Sequence, residues 1–119
     1  MDAIETGVLL LDDRRVLVAA NEVAAELLGL EAGEVVGRRA DEFMPMVARQ
    51  LYPLAWQGFL LRGAASGEYA AQRPDGTLAR LAYVGFAHRP LRGLHFFVLQ
   101  PLPGPVSYTH LTLPTTERV

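Results

Sequence analysis

The sequence contains no cysteine, which excludes disulfides, thiolate metal sites, thiol nucleophiles and cofactors attached through sulfur. No apolar run approaches the length needed to cross a bilayer, and Asp2 and Glu5 stand where a secretory leader carries basic residues. No membrane contact is therefore expected, and the segment reads as cytoplasmic. Positive charge is not in excess either: 11 basic against 13 acidic residues give a formal net charge of −2, and the arginines are scattered. Nucleic-acid binding by this segment is not expected. Gly63 to Gly67 lacks the lysine and the strand-then-helix setting of a phosphate loop.

What is present is the composition of a packed domain. Half of the 119 residues are hydrophobic and a fifth are charged, a length and balance that suit one core and not two. The run Gly7–Asp12 reads as a strand, closed by the polar turn Asp12-Asp13-Arg14-Arg15 and followed by a second strand over Val16–Ala19. Asn21 then stands where an N-cap belongs, with Val23, Leu27 and Leu28 at helical spacing and Gly29 at the stop. Glu31 to Val36 and Asp41 to Met44 read as short helical connectors. Val47 to Ala65 is helix-compatible, and the proline rule places the start of the main helix near Pro53.

Gly63, Ser66 and Gly67 read as the break after that helix. Strand character follows over Glu68 to Arg73, with Asp75-Gly76 as a hairpin turn, then over Thr77 to His88 and Gly93 to Leu102. The expected class is α+β, in the order β-β, short and long helices, β-β-β.

Three stretches, GVLLLDDRRVLVAAN, AAELLGLEAGEVVGRRADEF and GEYAAQRPDGTLARL, occur in the order found in the PAS domain family, which the chain resembles over about residues 4–102. Asn21 matches the residue that opens the family's first helix, Val36-Gly37-Arg38 matches a run before the next helix, and Asp75-Gly76 matches the turn between the third and fourth strands. The resemblance implies a five-stranded antiparallel sheet with helices on one face, enclosing a small pocket. It implies a sensory input domain over residues 1–105 that binds a small ligand or a partner. Such a domain relays to an output domain, a histidine kinase, a cyclic-dinucleotide enzyme or a DNA-binding domain, none of which is present in this sequence. A homodimer through PAS–PAS contact is implied as well, and the alternative function is a ligand-free dimerisation module. Residues 106–119, from Val106 onward, resemble a translated sequencing adapter, an artefact that makes the chain a fragment, so no function is read from them.

Within the implied pocket no cofactor is required. Haem is not expected, because no histidine lies between Val47 and Ala65, and His88 and His95 sit at strand borders where edge or surface positions are usual. The family's cysteinyl-flavin and cinnamoyl chemistry is excluded. Non-covalent flavin or a small organic ligand remains compatible, with Leu54, Trp56, Phe59, Tyr83, Phe86 and Phe96 as candidate pocket residues and Tyr52, Leu61, Val84 and Val98 beside them. No catalytic or metal-binding residue is assigned. His88, His95 and Ser66 have no nucleophile signature around them, and Asp12-Asp13 and Asp41-Glu42 read as solvated or capping acids.

Overall fold

The computed structural model describes residues 6–104, so the adapter-like tail lies outside the described residues. The first strand, β1 (Gly7–Asp12), alternates buried and half-buried positions, with Leu9 and Leu11 turned inward and Val8 and Leu10 outward. Its apolar character on both faces explains the unbroken run in the sequence. Asp12 ends it by accepting hydrogen bonds at Oδ1 from the amides of Arg14 (2.8 Å) and Val16 (2.9 Å), an Asx turn that sends the chain back as β2 (Leu17–Ala20).

Asn21 is the N-cap of α1 (Glu22–Leu27), accepting at Oδ1 from the amide of Ala24 at 2.9 Å. The same oxygen accepts from the amide of Val8 at 3.0 Å, so one side chain both caps the helix and ties it to β1. A one-turn helix, α2 (Ala32–Val35), and a 3-10 turn (Ala40–Phe43) follow. Leu17 and the 37–40 segment exchange backbone hydrogen bonds, Leu17 N to Arg38 O (2.8 Å) and Gly37 N to Leu17 O (2.7 Å), which fix these connectors beside β2.

The main helix, α3 (Met46–Arg62), begins well before Pro53, the expected start. Pro53 removes the hydrogen bond to the carbonyl of Arg49, but both residues are exposed, and water can serve the freed carbonyl. Tyr52, Trp56 and Phe59 lie at i, i+4 and i+7 and turn toward the sheet. Gly63, at φ 86°, ends the helix, its amide donating to the carbonyl of Phe59 (2.8 Å).

The next strand, β3 (Ala64–Gln72), starts immediately after Gly63, and Ser66 and Gly67, read from sequence as breakers, are part of it. The Arg73–Thr77 turn leads to β4 (Leu78–Phe86), and Asp75 Oδ1 accepts from both the amide (2.9 Å) and the hydroxyl (2.7 Å) of Thr77. The last strand is β5 (Leu94–Pro101). The five strands form one antiparallel sheet in the order β2-β1-β5-β4-β3, with the helices on one face.

Leu17, Leu28, Leu81 and Leu99 are the largest fully buried aliphatic side chains of the core between sheet and helices. Each contributes roughly 2 kcal/mol of burial. Register sets which side chains face the helices. Leu9 pairs with Phe97 and Phe97 with Gly85, and the Phe97 ring lies flat across Gly85, where a β-carbon would collide with it. Gly85→Ala is expected to cost about 1–3 kcal/mol through overpacking, measured as a lowered midpoint in urea unfolding.

Candidate functional site

A cavity of about 270 Å³ lies between α3 and the inner face of the sheet. Leu9, Leu11, Phe97 and Leu99 form its floor, and Leu17, Leu28, Phe43 and Met44 close one end. The roof is the inward stripe of α3, Tyr52, Trp56 and Phe59. Four of the lining residues are also exposed to solvent, Leu51, Ala55 and Arg62 on α3 and Glu68 on β3, and they mark the opening between helix and edge strand.

Of the residues named from sequence, Trp56, Phe59 and Tyr83 line this cavity, as does Tyr52. Leu54, Phe86 and Phe96 do not. Leu54 is 74% exposed because it lies two residues from Tyr52, about 200° around a helix of 3.6 residues per turn. Leu61, at 88% exposed, is likewise outside. Phe86 and Phe96 are paired neighbours with the opposite parity to Tyr83 and Phe97, so both sit on the outer face with Val84 and Val98. Sequence reasoning missed the whole floor of the cavity, Phe97 and Leu99 with Leu9 and Leu11, and its closed end, and among the polar lining it missed Tyr69, Arg62 and Glu68. The hairpin register counted outward from Asp75-Gly76 places Tyr69 opposite Leu81 and on the same face as Tyr83, a usable signal for that residue.

His95 departs most from expectation. It is fully buried, not at an edge. Its Nδ1 accepts from the amide of His88 at 3.0 Å, which leaves the proton of the neutral ring on Nε2 to be donated to Asp13 Oδ1 at 2.7 Å. The ring stands edge-on to Trp56 at 5.2 Å between centroids, so it supports the cavity roof from beneath. The Trp56 Nε1 is buried without a hydrogen-bond partner among the described residues.

Asp13, His88 and His95 offer ligand atoms within 4.8 Å of one another. Cation binding does not suit them, because His88 Nδ1 also accepts a backbone amide, from Gly93 at 3.0 Å. Both neutral rings therefore carry their proton on Nε2, and freeing a lone pair for a metal would break a backbone hydrogen bond at each histidine.

At the closed end, Arg15 holds Asp41 through two hydrogen bonds, Nε to Oδ1 (2.9 Å) and Nη2 to Oδ2 (3.1 Å), and its guanidinium lies over the Tyr52 ring at 5.2 Å. Burial raises the Asp41 carboxyl, but hydrogen bonding and charge from Arg15, with Arg39, outweigh it and hold the carboxyl below its usual range. Stability linked to a depressed carboxyl is present above about pH 4 and lost as pH falls through the folded value. Asp41→Asn should cost about 2 kcal/mol at pH 7. It should also flatten the loss of stability below about pH 4, which urea unfolding across pH will test.

Burial, with the neighbouring Tyr69 and Asp41, raises the Tyr52 phenol far above its usual range, and burial with Tyr83 does the same to Tyr69. Burial also raises Tyr83, against the opposing charge of Arg62. All three stay protonated at neutral pH.

A family model for the PAS domain matches residues 1–64, more than half of the chain. A search of curated protein sequences finds no match. Among solved structures, the fold is similar to a PAS domain from Colwellia psychrerythraea, with a TM-score of 0.73 at 10% identity over 83% of this chain and 87% of that one. It is similar to the PAS domain of the Cronobacter turicensis RpfR quorum-sensing receptor in complex with C12:0, with a TM-score of 0.71 at 17% identity over 87% and 99%. A third is the PAS domain, in complex with ethanol, of a LuxR-family transcriptional regulator from Burkholderia thailandensis, with a TM-score of 0.67 at 18% identity over 82% and 88%. The sheet order, the helices on one face and the family match agree, and the chain belongs to the PAS domain family.

Proposed function

We propose that this domain is a signal-input module that takes a small apolar or amphipathic ligand between α3 and the sheet and relays its presence to an attached output. The observation that carries this reading is the largely apolar cavity of about 270 Å³ with a defined opening at Leu51, Ala55, Arg62 and Glu68. Its size lies just below the roughly 300–1,000 Å³ usual for drug-sized ligands. That favours a small organic molecule over a flavin nucleotide. The neighbours that hold C12:0 and ethanol support the class of occupant. A regulatory output fits the transcriptional regulator among them, and a non-catalytic role fits a histidine whose two ring nitrogens are both engaged by the protein. Native mass spectrometry of the purified chain, with an absorbance scan, should show one small molecule per domain that is released on denaturation. A chain that carries none and takes up no apolar probe would remove the sensing role.

A second reading, self-association, has its own observation. On the outer sheet face Val8, Val98 and Val84 form one row across three strands, and Leu10, Phe96 and Phe86 form the next. These aliphatic and aromatic side chains are half-buried or exposed, and a second copy of the chain, presenting the same self-complementary rows, is the occupant favoured here. Val98→Lys should turn a dimer into a monomer in analytical ultracentrifugation, leaving the circular dichroism unchanged. A wild-type chain that stays monomeric at high concentration would contradict this reading.

A further inference from the structure

The cavity is apolar except where Tyr52, Tyr69, Tyr83, Arg62 and Glu68 meet it, with one indole, Trp56, in the roof. The two carboxylates near it are already paired with arginines. Glu68 Oε1 takes hydrogen bonds from Arg80 at 3.3 and 3.4 Å, and both oxygens of Asp41 are held by Arg15. The donors are not engaged. Among the described residues no hydrogen bond reaches the three tyrosine hydroxyls, which keep accessible surface, since the one fully buried polar atom without a partner is Trp56 Nε1. Among the same residues Arg62 has no ion pair, its guanidinium lying beside Gly58 at the opening. Tyr69 and Tyr83 stand edge-on with centroids 6.0 Å apart, and Tyr52 meets the same cavity from α3. All three phenols line the one cavity, and each has an O–H that no protein acceptor takes up, free to be donated to an occupant.

We infer that the ligand of this cavity carries a carbonyl-type oxygen, in a free acid or a neutral ketone, which accepts hydrogen bonds from the hydroxyls of Tyr52, Tyr69 and Tyr83 while an apolar body lies along Leu9, Leu11 and Phe43. This rests on the ligand-sensing reading above. At interior packing density the cavity has room for roughly a dozen non-hydrogen atoms, so the body is a short chain or one small ring. The hydroxyls are neutral donors in a largely apolar site, so they discriminate strongly against a ligand that cannot accept: filling the cavity with pure hydrocarbon would strip them of water and leave them unpaired.

The sequence contains one tryptophan, and Trp56 lies in the cavity roof, so its fluorescence reports on occupancy. Titrations of the whole chain with octanoic acid, 2-nonanone and nonane, repeated on Tyr52→Phe, Tyr69→Phe and Tyr83→Phe, provide the test. Wild type should bind the acid and the ketone more tightly than nonane. Each phenylalanine variant should weaken the two oxygenated probes about five- to tenfold, and nonane binding should hold, which also shows that the variant folds. Equal affinity of wild type for ketone and nonane, or full affinity for both oxygenated probes in all three variants, would overturn the inference and leave a purely apolar sensor. Failure of all three probes to bind wild type would remove the sensing role with it. Acid binding tighter than ketone binding, with the advantage lost in Arg62→Gln, assigns the head group as a carboxylate, and equal binding assigns a neutral carbonyl; either result supports the tyrosine donors.

Discussion

A polar ring at the start of the sheet's central strand governs the rest of the structure. His95 lies on β5, between β1 and β4, and a buried imidazole there would be costly if either nitrogen lacked a partner. Both are satisfied, Nδ1 by the backbone amide of His88 and Nε2 by Asp13. His95 can therefore face inward, and because side chains alternate along a strand, Phe97 and Leu99 face inward with it while Phe96 and Val98 face out. Shifting β5 by one residue would expose Leu99 and put Gln100 into the core. The two partners come from different loops, Asp13 from the β1–β2 turn and His88 from the β4–β5 connection, so the same ring ties the ends of β1 and β4 to the start of β5.

The cavity follows from how α3 is seated on that face. Only Trp56 and Phe59 of the helix are fully buried, both in its C-terminal half, and they pack on His95 and Phe97. Nearer the N-terminus Leu51 is half exposed, and Tyr52 is the residue that reaches inward. The far wall is kept in place by other means. Arg15 binds Asp41 and stacks over Tyr52, and the backbone pairing of Leu17 with residues 37 and 38 holds the connectors beside β2. A helix anchored at one half and a wall pinned independently leave a gap between them, and Phe97 lying flat on Gly85 adds to its depth.

Features governed by local rules were legible in the sequence. Asn21, the Asx turn at Asp12 and the Asp75-Gly76 hairpin depend on residues a few positions apart, and each is found where the pattern places it. The pocket residues depended on parity, which in β5 turns on whether His95 faces in or out. Nothing within β5 announces that Asp13 and the amide of His88 will meet that ring. Reading His95 as an edge residue selects Phe96 and Val98 for the pocket, and the burial of His95 selects Phe97 and Leu99 in their place. On β4, Tyr83 and Phe86 differ in parity, so period two alone rules out that both face one cavity. Pro53 and the Ser66-Gly67 pair were misread for a related reason: propensity is a weak prior, and an exposed helix face or an edge strand tolerates residues that would disrupt a central one.

The sheet also bears on how a signal could leave the cavity. Phe97 and Tyr83 line its inner face, and their immediate chain neighbours Phe96, Val98 and Val84 belong to the apolar rows outside. One layer of backbone therefore separates a ligand from the proposed contact surface, and no long chain of intermediates is needed to connect them. A displaced Phe97 ring meets Gly85 directly, and any adjustment there must be taken up by the β4–β5 ladder that also carries the outer rows. The size of such an effect is limited by how much more tightly the ligand binds one arrangement of the ladder than the other. Reciprocity then requires that a partner docked on Val84, Phe96 and Val98 alter ligand affinity by the same factor.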